Sequence, residues 1–94
     1  VWCCSVRIGD GPLIAEVLAE RGERYGSFRG HAEITQALKD VMRLSPKWGD
    51  LDCSQTEALE MIAHKVGRIL NGDPNYADSW VDIAGYATLV AEKL

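Results

Sequence analysis

Residues 57–70 read Glu57-Ala-Leu-Glu60-Met-Ile-Ala-His64-Lys65-Val-Gly-Arg68-Ile-Leu70, and their periodicity decides the fold class. At ~100° per residue, Leu59, Ile62, Ala63, Val66, Ile69 and Leu70 fill one side of a helix, while Glu57, Glu60, His64 and Arg68 share an arc of roughly 80° on the other. Ser54 or Thr56 supplies a cap, with Glu57 three residues after Ser54 at capping-box spacing, and Asn71-Gly72 ends the run.

Upstream, Ser45-Pro46-Lys47-Trp48-Gly49-Asp50 is a loop, because proline restricts the residue before it and removes a backbone donor. Trp48 is expected to anchor that loop against the core. Before it, Ile34, Leu38, Val41 and Met42 mark a helix from His31 to about Leu44. Tyr25-Gly26-Ser27-Phe28-Arg29-Gly30 separates this helix from an earlier one, Leu13 to about Arg24. Residues 1–10 read as an extended arm stopped by Gly9-Asp10-Gly11-Pro12.

Downstream, Asp73-Pro74-Asn75 is a turn, and a last helix runs from Tyr76 or Asp78 to the C-terminus. It is apolar on nearly every side, so it is expected to be largely buried. The chain is therefore an all-α, four-helix bundle forming a single domain over 1–94. Ninety-four residues make a thin core, which calls for completion by a homo-oligomer, a dimer or a tetramer.

Composition narrows the function classes. The chain is 47% apolar and 26% charged with a net charge of −4, and lacks both the basic footprint of a DNA-binding protein and a run long enough to span a membrane. Cys3, Cys4 and Cys53 cannot all pair within one chain, and no C-x-x-C spacing suggests zinc, so reduced thiols and a cytoplasmic setting are expected.

The candidate chemistry lies in acids. Glu57 and Glu60 point the same way and suit a hard divalent cation. Asp78 and Asp82 lie one turn apart on the apolar last helix, where an unpaired carboxylate is costly. If the last two helices face each other correctly, the four acids meet at one cleft, where Mg²⁺ (or Mn²⁺) would bridge phosphates and activate water. The competing reading makes them structural: Glu60-His64 and His64-Arg68 as i,i+4 neighbours on a solvated face, Asp82 bridged to Lys65 or Arg68, and Asp78 favoured at a helix N-terminus. Tyr25, Trp80 and Tyr86 are either core or pocket residues. His31 and His64 are too distant in sequence to read as a ligand motif.

In its order of motifs, Glu57-x-x-Glu60, then Lys65 and Arg68, then Asp78-Ser-Trp-Val-Asp82-Ile-Ala-Gly-Tyr86, the chain resembles the all-α nucleoside-triphosphate pyrophosphatases of the MazG-like superfamily, and looks closest to a phage and prophage branch. The resemblance implies Mg²⁺ held by Glu57, Glu60, Asp78 and Asp82, with Glu57 or Glu60 taking a proton from water. It implies Lys65 and Arg68 as phosphate contacts, and a nucleoside triphosphate split into monophosphate and pyrophosphate. One departure stands out: three residues before Asp82, where the superfamily carries glutamate, this chain has Ser79. The alternative expectation is a non-catalytic oligomer that binds a nucleotide or a host or phage protein.

Overall fold

The computed structural model describes residues 13–94, apart from the side chains of Leu13, Arg21 and Glu23. The expected arm over 1–10, with Cys3 and Cys4, lies outside the described residues. Four helices follow in order: α1 (Leu13–Tyr25), α2 (Phe28–Arg43), α3 (Cys53–Asn71) and α4 (Ala77–Ala91), with a 3₁₀ turn at Trp48–Asp50 between α2 and α3. No strand occurs among the described residues, so the all-α bundle predicted from periodicity is the observed architecture.

Two helix starts differ from expectation, each for a capping reason. α2 begins three residues before His31, because Ser27 is its cap and its Oγ accepts from the Gly30 N–H at 3.1 Å. α3 is capped by Asp52 rather than Ser54 or Thr56. Asp52 Oδ1 accepts from the Gln55 N–H at 2.8 Å and Gln55 Oε1 accepts from the Asp52 N–H at 3.1 Å. An ionised carboxylate is a stronger acceptor than a hydroxyl, so the earlier capping box prevails and the helix gains a turn.

α3 is the central element, with α2 packed along one side and α4 along another, while α1 touches α2 and α3 at few positions. The buried set is narrow and unusually polar. Ala58, Ala63 and Ile69 are its apolar members, beside His31, Thr35, Lys65, Arg68 and Ser79. Gly67 sets the α2–α3 spacing: a Cβ there would collide with Thr35 Oγ1 and press on His31 Nδ1 at 3.1 Å.

The α1–α2 connection is pinned from the end of α3. Asn71 Nδ2 donates to the carbonyls of Tyr25 at 2.6 Å and Ser27 at 2.8 Å. The Asp73 N–H donates to the Arg24 carbonyl at 2.6 Å. Gly26 turns the chain here with φ of 75°, and a Cβ on it would strike the Asn71 carbonyl; only glycine adopts this conformation cheaply.

α4 departs from its expected burial. Ser79 is its single buried residue, whereas Trp80, Val81 and Leu89 are 55%, 64% and 46% exposed. The reason is geometric: α4 packs chiefly on α3, and one neighbour covers only one side of a helix that is apolar around most of its circumference. Trp48 is half-buried rather than enclosed.

Candidate functional site: a buried cationic cavity beside dispersed carboxylates

From Glu60 onward, the ionisable stripe of α3 faces other helices. Glu60 Oε2 accepts from Arg43 Nη2 of α2 at 2.8 Å. One turn on, His64 Nδ1 lies 3.2 Å from His31 Nε2, the two rings meeting edge to face. One turn further, the Arg68 guanidinium stacks 4.0 Å above the Tyr25 ring of α1. Sequence reasoning missed the histidine pair, which is 33 positions apart and is assembled by the α2–α3 crossing at Gly67.

The four acids have separate surroundings. Asp82 Oδ2 sits 2.7 Å from Lys65 Nζ, the lysine side chain being 3% exposed and the aspartate 20%. This is the structural bridge that the sequence offered, with Lys65 rather than Arg68 as the partner. Asp78 is exposed and accepts from the Tyr76 hydroxyl at 2.9 Å, a bond that raises the tyrosine pKa. Glu57 is exposed on a groove of about 390 Å³ between α3 and α4, near Tyr86 and Lys93. Among the described residues no three His, Cys, Asp or Glu side chains gather as a metal cage. Of the four carboxylates, Glu60 and Asp82 already have a cation within bonding distance. The mode open to the four acids as they stand among the described residues is the one in which one or two carboxylates hold the ion alongside substrate phosphates.

A second feature lies further along the same stripe of α3. Tyr25, Ser27, Phe28, His31, His64 and Arg68 are among the residues lining a cavity of about 260 Å³. None of its described lining residues is acidic. Arg68 is 8% exposed, and its guanidinium forms no hydrogen bond or ion pair among the described residues. Burial lowers the His64 pKa to about 4, with His31, Arg68, Lys65 and Lys39 adding to the effect. Burial also lowers that of His31, helped by Arg68 and opposed by the Gly67 backbone, and Lys39 and Lys65 push the same way as Arg68. Both rings are therefore neutral at neutral pH, and in the bond between them one nitrogen donates and the other accepts. The other His31 ring nitrogen, Nδ1, is buried against Gly67 without a hydrogen-bond partner.

A family model described as a domain of unknown function, DUF6378, matches residues 14–93. The chain belongs to that family. No curated protein and no solved structure matches it. The DUF6378 match takes in every residue discussed above, from Tyr25 to Lys93, so the cavity and the carboxylates belong to one DUF6378 domain. Among its described residues no helix is long and apolar enough to cross a membrane.

Proposed function

We propose that this chain is a helical binding protein for a phosphate-bearing nucleotide and that it works without a resident metal. The observation that carries this reading is the Lys65–Asp82 bridge. A carboxylate needed for Mg²⁺ is held instead by a buried ammonium, so charge balance is met by the protein itself. Of the two cations that the sequence suggests as phosphate contacts, Lys65 is engaged in this pair, which leaves Arg68. The exposed apolar residues of α4 support a homo-oligomer, and the exposed Cys53 thiol accords with a reducing, cytoplasmic setting.

The test is calorimetric titration of nucleoside mono- and triphosphates in EDTA and again in Mg²⁺. Binding of equal strength in both supports the proposal, whereas binding that appears only with Mg²⁺ sinks it.

The second reading is Mg²⁺-dependent pyrophosphohydrolysis, favoured by Glu57, exposed on its groove one turn from Glu60. There Glu57 and Glu60 would hold the ion with the substrate phosphates and one of them would take the proton of the attacking water, with Asp82 and Asp78 completing the set in the oligomer. The resemblance to the MazG-like pyrophosphatases, a phage type included, supports it. Pyrophosphate release that Glu60→Ala and Asp82→Ala both abolish, with helicity retained, would establish it over the binder.

A further inference from the structure

Arg68 presents an unsolved charge. Removing a guanidinium from water without a counter-ion is costly, and buried charges are ordinarily paired. Stacking on Tyr25 at 4.0 Å offsets part of that cost, but a ring face satisfies none of the five N–H donors. The described lining of the cavity that Arg68 borders holds no carboxylate. Ser27 and Phe28, also on its wall, open the 16-residue α2, whose first N–H groups carry the positive end of the helix dipole. Among the described lining residues the formal charge is that of Arg68, and it is positive.

Size narrows the ligand. At about 260 Å³ the cavity falls below the roughly 300–1,000 Å³ of sites that enclose a whole drug-sized molecule, so it suits an anionic group rather than a complete nucleotide. Phe28, 81% exposed, offers an apolar ring surface at the wall for whatever carries that group.

We infer that this cavity is a binding site for a tetrahedral dianion, the phosphate or sulfate group of a small molecule, held by Arg68 with His64 beside it. It rests on the nucleotide-binding reading only in taking the anion to be a nucleotide's phosphate; the anion site itself stands on Arg68. Placed here, the anion faces His64 and Arg68 on α3, His31 on α2 and Tyr25 on α1, while Lys65 on α3 and Lys39 on α2 act on His64 from outside the lining. From α4 comes Asp82, already bound to Lys65. A dianion among these groups reverses the local field, so His64 gains a proton as the ligand enters and the ligand gains a second donor. Affinity therefore rises as pH falls through the neutral range.

Sulfate is the first probe, because its charge is constant over the range used, and adenosine monophosphate is the second. Titrations of the wild-type chain, Arg68→Gln and His64→Gln are followed by calorimetry at about pH 6 and about pH 8, with circular dichroism to check folding. Amide NMR of the wild type reports where sulfate acts. Expected are shifts confined to residues 27–31 and 64–68, about tenfold tighter sulfate binding at the lower pH, and loss of binding in Arg68→Gln. In His64→Gln, binding at about pH 6 should weaken to the level that the wild type shows at about pH 8, and its pH dependence is lost. No sulfate binding at either pH, or NMR shifts elsewhere, overturns the inference without recourse to a variant. If the monophosphate binds regardless of Arg68 and sulfate does not bind, this site falls and the nucleotide reading survives. If sulfate binds through Arg68 and no nucleotide binds, the site stands and that reading falls.

Discussion

Asp82 and Lys65 show how much rests on single contacts in this chain. With the lysine nearly sealed from water, Asp82→Asn removes its charge partner, and breaking a dry pair of this kind ordinarily costs about 3–5 kcal/mol. Asp82 is 20% exposed at the side chain and water relieves part of that, so a loss of about 2–3 kcal/mol is expected in urea denaturation. Replacing both partners, Lys65→Met with Asp82→Leu, should restore most of the loss. A double variant no more stable than Asp82→Asn would show that the pair contributes more than charge balance.

Proton binding by His64 gives a second expectation. An unfolded histidine takes its proton near pH 6.5, whereas the folded ring resists protonation until about pH 4. Between those values the unfolded state binds more protons, so stability is complete above about pH 6.5 and is lost as pH falls, at no more than about 1.4 kcal/mol per pH unit for that group. The urea midpoint should drop between about pH 7 and about pH 5, and His64→Gln should flatten the slope, leaving the smaller share due to His31. An unchanged slope would place the titration elsewhere.

At the scale of elements, Gly26 and Gly67 are positions where a methyl group has nowhere to go. Gly26→Ala meets both a left-handed backbone and the Asn71 carbonyl, and a loss of about 1–3 kcal/mol is expected. Gly67→Ala would part α2 from α3 and with them His31 from His64. It should abolish the pH slope as well as lower the melting temperature, a pairing of effects that simple destabilisation would not produce.

The helices themselves were legible because each has one dominant period, and α3, with apolar and ionisable sides cleanly separated, was the easiest to read. Their starts were less so: Asp52, Ser54 and Thr56 are all competent caps within five residues, and only the geometry of Gln55 decides among them. The site was legible in part. The Lys65–Asp82 bridge is one of the two pairings that the sequence offers for Asp82. The destination of the ionisable stripe was not readable, because a helix wheel gives the angle between side chains but not which neighbour lies opposite. From Glu60 onward the stripe faces α2 and α1, which is why Glu60 finds Arg43 and His64 finds His31.

For the molecule as a whole, α4 carries three of the ten large apolar side chains that stay exposed among the described residues. Trp80, Val81 and Leu89 remain uncovered on a helix with one principal neighbour. If a second copy of the chain supplies the missing side, sedimentation should report a dimer or tetramer, and Val81→Asp should shift the population toward the monomer while leaving the anion site, whose described lining includes no α4 residue, unaffected. A wild-type chain that sediments as a monomer at high concentration would remove the homo-oligomer from the proposed function.

Among the described residues, the clasp made by Asn71 and Asp73 holds α1 at its C-terminal end. Around Tyr25 the helix is tied to the end of α3 by backbone and side-chain bonds, while Leu18, further up α1, is 58% exposed and lies against the same cavity. A rod fixed at one end pivots about that end. Deuterium should enter the amides of the upper half of α1 through local excursions, well before it reaches those near Tyr25, which exchange with the same free energy as α3. A guest can then pass beneath Leu18 on a fast clock while the ring that positions Arg68 stays in place, so loading the cavity does not require the bundle to come apart.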